Sequence, residues 1–307
     1  MIMRLFNKDD RGSIELEDLT GQWYASSPYR AISTEIDFAV REVRNRVGME
    51  VMNLAAEAYQ RGEDMELANA VRMPVAFLAI MRYAALSTVS HESTGRKVKM
   101  DDNEKMPFEW MVDRDDRAMR ERYYRAMDAL YSYLEDNSVP EWMNSDVRGS
   151  VRRSIVRSLK DFEAVYPIDG SYYVYYMLQN LVIEEQDNEL EQYFGGYWED
   201  ILTGSCEQPL QSLAVRAAVL SSVVMAGERW SLTVFPLEIA KRFSPTYQGN
   251  KASEKASVAE VDWYLDKLRK QKAEVMNKIR VILSRGGGPV GRLLPKNDPK
   301  KKYCTTV

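Results

Sequence analysis

Residues 161–201, DFEAVYPIDGSYYVYYMLQNLVIEEQDNELEQYFGGYWEDI, and 209–230, PLQSLAVRAAVLSSVVMAGERW, decide the fold class. They read as a short ordering segment, a helix, a break at Gly195 and Gly196, a second helix, and a long apolar third helix. The first half carries a comparable series. Residues 26–59, SSPYRAISTEIDFAVREVRNRVGMEVMNLAAEAY, contain their own break at Gly48, and residues 66–90, ELANAVRMPVAFLAIMRYAALSTVS, supply a long apolar helix. Gly48 and Gly195, like Met81 and Met225, stand roughly 145 residues apart, which points to an internal duplication. The expectation is an all-α protein of two similar helical-bundle units with short extended or hairpin loops and an extended C-terminal tail.

Working outward, residues 1–30 read as an N-terminal arm, irregular around Gly21 and Pro28, and residues 31–140 as the first helical unit. Within that unit Ile36, Ala39, Val40, Val43 and Val47 recur at three and four, giving one apolar helix face ahead of Gly48. A second helix ends at Arg61 and Gly62, and a third, 66–90, contains Pro74, where it either restarts or kinks. Around Gly95 the pattern turns to a short hairpin or extended loop, and helix resumes to about Leu134. Residues 141–160 read as one connecting helix, because Val151, Ile155 and Leu159 repeat at four. The second unit spans 161–284, its last helix burying Val261, Tyr264, Leu265, Leu268, Val275, Ile279 and Ile282. Residues 285–307 form the basic extended tail.

Composition narrows the function classes. The chain has 307 residues, 45% hydrophobic and 29% charged, as a globular protein does. Its longest apolar run, near Val75 to Val89, is broken by Arg82, which argues against a membrane span. Two cysteines, Cys206 and Cys304, make no disulfide framework. The charge is uneven: from Lys267 to Lys302 twelve basic residues face two acids, a surplus of ten, so the remainder carries −14 of an overall −4. An acidic body with a basic end can engage an anionic surface or the body of a neighbouring copy.

Candidate chemistry is sparse. His91 is the only histidine, so no histidine-based triad or paired-histidine metal site can be assembled. SRGGGPVGRLLPK, 284–296, lacks the preceding strand and the Lys-Ser/Thr ending of a phosphate loop, and reads as a helix stop and hinge. Glu184, Glu185, Asp187, Glu189 and Glu191 have no Glu-x-x-His partner and read as a solvated face or subunit contact. YYVYYML, 172–178, with Tyr166 and Tyr193, has no interleaved basic residues and reads as helix or subunit packing rather than a base-stacking platform. The last four residues, CTTV, match a prenylation box and a carboxylate-capture ligand by pattern alone. The tail is the strongest functional feature, and Arg285, Arg292, Leu293, Leu294, Lys296, Lys300, Lys301, Lys302 and Tyr303 are its candidate partner-binding residues.

FEAVYPIDGS from Phe162 to Ser171, the helix to Gly195 and Gly196, the apolar helix Leu210 to Trp230 and the last helix ending at Ser284 carry a family likeness. Gly48, the helix Val75 to Val89, the Gly95 loop and the helix to Leu134 repeat it in the first unit. In these features the chain resembles the head-to-tail connector (neck adaptor) proteins of tailed bacteriophages, in a larger, duplicated version. The resemblance implies a virion structural protein at the neck, assembled in the host cytoplasm. It implies a homo-oligomeric ring of about twelve copies, docked on the portal protein and on a downstream neck or tail protein, with DNA passing through its channel. No membrane partner, enzymatic activity, cofactor or metal is implied. The alternative reading is a nucleic-acid-binding helical module that uses its basic tail on phosphate.

Overall fold

The structure is a computed structural model, and it describes residues 4–87, 90–92, 95–97, 108–229 and 258–285. Among the described residues the protein is all-α apart from one two-stranded ribbon. Chain contacts divide it into two compact units. The first comprises residues 4–153 together with Ile168–Met177. The second comprises Ser154–Pro167, residues 178–229 and residues 258–285.

In the first unit α1 (Asp10–Thr20), α2 (Tyr29–Val47), α3 (Met49–Arg61) and α5 (Glu109–Asp136) pack around α4 (Met65–Ser87). The face of α2 read from sequence is its buried face, with Ile36, Ala39, Val43 and Val47 each at most 4% exposed. Gly48 separates α2 from α3 at φ 93° and ψ 163°, a conformation closed to L side chains, while its N–H still bonds the Arg44 carbonyl at 2.8 Å. Tyr133 of α5 reaches Asp64 at the start of α4, and Arg122 lies over Phe77 further along. These contacts fix α4 and α5 as antiparallel, so the end of α4 and the start of α5 share one end of the pair. There β1 (Ser90–Glu92) pairs antiparallel with β2 (Gly95–Lys97), His91 opposite Arg96. The hairpin expected around Gly95 thus forms with Gly95 opening its second strand, and Val98 to Met100 lie outside the described residues.

Three expectations change. The first thirty residues are not an irregular arm: Asp9 caps α1 and Leu16 is fully buried. That helix escaped a reading by apolar period because polar groups occupy its inner face. Ser13 donates to the Ser27 carbonyl (2.6 Å) and accepts from Trp23 Nε1 (3.2 Å), and Thr20 donates to the Leu16 carbonyl (2.6 Å). Pro74 does not restart the helix: α4 runs through it from Met65 to Ser87, with Val75 and Ala76 fully buried, which leaves the kink as the alternative that a continuous helix allows. Residues 141–160 are not one helix but α6 (Pro140–Met143), α7 (Asp146–Arg153), a coil, and α8 (Leu159–Glu163). Side chains take the backbone bonds a continuous helix would need: Val156 N–H donates to Ser154 Oγ (3.0 Å) and Ile155 N–H to Gln186 Oε1 (2.7 Å), while Ser158 caps α8.

The second unit holds the later part of α9 (Tyr172–Glu185), then a π-turn (Gln186–Leu190), α10 (Glu191–Phe194), a 3-10 turn (Gly195–Tyr197) and α11 (Trp198–Thr203). The glycine break falls where it was expected, Gly195 taking φ 52°. α12 (Gln208–Arg229) packs along α13 (Val258–Arg285), and at Gly227 a Cβ would come within 2.6 Å of Leu265 Cδ2. Glycine there lets the two helices meet closely. By length and composition α4 and α12 could each cross a bilayer, but half of one apolar window and 61% of the other are buried inside the protein.

The start of α9 is capped twice. Ser171 Oγ accepts from Val174 N–H (3.1 Å), and Asp128 of α5 accepts from Tyr173 N–H (2.8 Å) and from Ser171 Oγ (2.7 Å). Asp128→Ala should cost about 1–2 kcal/mol by urea unfolding. Asp128→Asn keeps the accepting oxygen without a charge that burial already disfavours, and should be nearly neutral.

Candidate functional site

The candidate tail residues Arg292, Leu293, Leu294, Lys296, Lys300, Lys301, Lys302 and Tyr303 lie outside the described residues, as does Cys304; Arg285 is the last residue of α13, its side chain likewise outside them. Among the described residues, buried polar networks around Glu135 and Lys272 and one exposed apolar surface are candidate sites.

The aromatic stretch expected to serve packing does so within the first unit. Tyr173 stacks on Tyr124 and Tyr131 (ring centroids 5.5 and 6.3 Å), and Tyr176 packs on Tyr131 (4.9 Å) and edge-on to Trp142 (5.1 Å). Glu135 gathers the polar ends: its Oε1 accepts from Trp142 Nε1 (2.7 Å) and from the Tyr176 hydroxyl, and the Arg148 guanidinium lies 2.8 Å away. Burial, the largest cause, raises the Tyr123, Tyr131 and Tyr176 phenols above their ordinary range, and Tyr173 is pushed up to about 12. The phenols therefore stay protonated at neutral pH. A phenol whose folded pKa exceeds its unfolded value of 10.0 contributes stability that is whole below 10 and lost as pH rises through the folded value. Tyr173 alone should therefore remove about 3 kcal/mol between pH 10 and about 12. Alkaline titration should show tyrosinate absorbance rising together with loss of helical circular dichroism.

The carboxylate cluster is split by the π-turn, which corrects its reading as a solvated face. Asp187 and Glu191 are exposed, but Glu185 is buried and receives Lys272 Nζ from α13 at 2.6 Å. The same ammonium donates to Glu189 Oε2 (2.6 Å) and Ser221 Oγ (3.0 Å), so all three of its N–H groups are spent. Burial opposes ionisation of all three groups. For Glu185 it prevails and raises the carboxyl; for Glu189 and Lys272 the hydrogen bonds between them outweigh it, lowering the one and raising the other. A saturated ammonium held in its charged form is a structural cross-link, unsuited to act as a nucleophile or base. The signal was present in sequence: Lys272 sits four after Leu268 and three before Val275, on the apolar stripe of its helix. No group of three His, Cys, Asp or Glu among the described residues is placed to hold a metal.

The exposed surface lies at the shared end of α4 and α5. Leu86, Phe108, Trp110 and Met111 are 57%, 67%, 58% and 41% exposed there. Four large apolar side chains in water at one end of a helix pair are characteristic of a surface that another chain covers.

Residues 50–152, about a third of the chain, match the sequence model of DUF6712, a family of unknown function. The match runs from α3 through α7 and takes in the ribbon and this apolar end. No curated protein and no solved structure matches the chain.

Proposed function

We propose that the chain is a non-enzymatic virion structural protein, a head-to-tail connector that assembles as a ring between portal and tail with DNA passing through it. The exposed apolar end of α4 and α5 carries this reading, since it supplies a surface that association would bury. The all-α architecture is compatible with the helical units that carry the resemblance, and the net charges of −14 before Lys267 and +10 from Lys267 to Lys302 are of opposite sign, which suits heterologous contacts between copies. Mass photometry and negative-stain microscopy test it: rings should appear with rising concentration or on adding portal protein. Trp110→Glu with Phe108→Glu, both exposed in the single chain, should reduce ring formation by about tenfold or more while leaving helical content unchanged. A protein that stays monomeric at high concentration with portal present overturns the reading. The basic segment from Lys267 to Lys302 favours a second reading, a nucleic-acid-binding module. That one requires DNA affinity that falls steeply with salt and disappears when the chain is cut after Ser284.

A further inference from the structure

Helix α13 is packed on one side. Leu265, Leu268, Val275, Ile279 and Leu283 are buried along its inner side, and α12 runs beside it. Its outer side carries Trp263, Lys267, Lys270, Glu274, Lys278 and Val281, which recur at three and four and are all exposed. They form one stripe, about 27 Å long at the rise of a helix. Trp263 and Val281 are 57% and 47% exposed, and among the described residues they are the exposed large apolar side chains of the second unit. Lys267 Nζ stands 3.7 Å over the centroid of the Trp263 ring. Among the described residues Lys267, Lys270 and Lys278 form no ion pair. The stripe is thus apolar at its two ends and net positive between them, a composition suited to contact with an acidic protein surface.

Such a surface stands on the first unit, at the end of the α4 and α5 pair remote from Phe108 and Trp110. Residues 61–66, which lead into α4, are all exposed, and the Tyr133 hydroxyl donates to Asp64 Oδ1 at 3.2 Å. That bond brings the last turn of α5, with exposed Asp136, to the same place. Glu63, Asp64, Glu66 and Asp136 gather there without an ion pair among the described residues, and the nearby cation Arg61 is already held by Glu57 at 3.2 Å. Met65, 37% exposed, adds an apolar side chain to this acidic end.

We infer that the outer stripe of α13 in one copy receives the acidic end of α4 and α5 of the next, a contact that rests on the ring reading above. Lys267, Lys270 and Lys278 face Glu63, Glu66 and Asp136, and Trp263 with Met65 supplies the apolar anchor. Stripe and end are different surfaces, so the contact is heterologous, the kind that closes rings. Duplex DNA is the other anionic partner open to a lysine stripe. Against it, Glu274 stands between Lys270 and Lys278, where it would meet phosphate, and a sugar-phosphate backbone offers Trp263 and Val281 little apolar surface.

Two charge-reversed chains test the contact by mass photometry and sedimentation velocity. One carries Lys267→Glu, Lys270→Glu and Lys278→Glu, the other Glu63→Lys, Glu66→Lys and Asp136→Lys. All six side chains are exposed, and Asp64 is left in place because it accepts the Leu67 N–H at the start of α4. Each variant alone, with its circular dichroism intact, should associate about tenfold or more weakly, because like charges then meet. An equimolar mixture should recover assembly, since the reversed stripe meets the reversed end at one contact and the two unaltered surfaces meet at the next. Damage to the fold would not be repaired by mixing. Full ring yield from the stripe variant alone overturns the contact while the ring reading stands, and so does loss in both variants without recovery on mixing. Wild type that forms open chains instead of rings, with the same loss and recovery, supports the contact and overturns the ring reading. Wild type that stays monomeric with portal present overturns both. Duplex DNA binding that disappears in the stripe variant while ring yield is unchanged makes the stripe a phosphate surface and overturns the contact.

Discussion

Trp142→Ala is expected to lower the unfolding free energy of the first unit by about 3–5 kcal/mol, among the largest effects of any single substitution in it. Trp142 is 0% exposed and is the largest fully buried side chain. Three losses coincide at one site. The indole leaves a cavity between Tyr131 (5.4 Å) and Tyr176 (5.1 Å), the aromatic geometry goes with it, and Glu135 loses the Nε1–H donor at 2.7 Å. At roughly 2–4 °C per kcal/mol for a unit of this size, the first thermal transition should fall by about 10 °C or more. Trp142→Phe restores most of the packing but not the donor, and should recover more than half of the loss. A drop of under about 1 kcal/mol for Trp142→Ala, measured in urea with an unchanged slope, would show that the site collapses and that the aromatic cluster is not a rigid core.

Lys272→Met should cost the second unit about 3–5 kcal/mol, because it strands Glu185, whose side chain is 7% exposed, as an uncompensated buried charge. Most of that penalty comes from what is left behind rather than from the attraction that is lost, so Lys272→Met combined with Glu185→Met should sit within about 1–2 kcal/mol of wild type. The single variant also carries a pH signature. Burial raises the folded pKa of Glu185 above its ordinary 4.5, and without the ammonium only the Ser221 hydroxyl is left to oppose that rise. A group with a raised folded pKa stabilises below the unfolded value and loses that contribution as pH rises through the folded one. The deficit of Lys272→Met should thus be smallest below 4.5 and grow toward neutral pH, as chemical denaturation at a series of pH values would register. A deficit independent of pH would mean that Glu185 is solvated once Lys272 is gone.

The helical class and most helix limits were legible because apolar side chains at three and four line the buried faces of α2, α5 and α13, and because Gly48, Gly62 and Gly195 end helices by adopting positive φ. Where side chains rather than apolar period organise the backbone, the pattern misled. In α1 buried Ser13 and Thr20 stand where apolar residues were sought, and at residues 154–158 the bonds from Ile155 and Val156 go to Gln186 and Ser154. The partners of Glu185 and Glu135 were hidden for another reason: Lys272 is 87 residues from the one, Tyr176 is 41 from the other, and pairings at such distance leave no local trace. Lys272 on an apolar stripe was the visible half of its pair. The exposed apolar end of α4 and α5 was likewise invisible, since Phe108, Trp110 and Met111 look in sequence like the start of any amphipathic helix.

The chain path through the first unit bears on how the protein is made. The stretch matched to DUF6712 stops at residue 152, yet Tyr131, Trp142 and Glu135 within it are covered by Tyr173 and Tyr176, which belong to a return segment ending at Met177. A fragment cut at Arg153 would present that aromatic cluster to water as an open seam, so the matched stretch is no self-sufficient module. During synthesis the unit stays unclosed until about two dozen further residues have left the ribosome, and a chaperone or a premature neighbour would meet it at that seam.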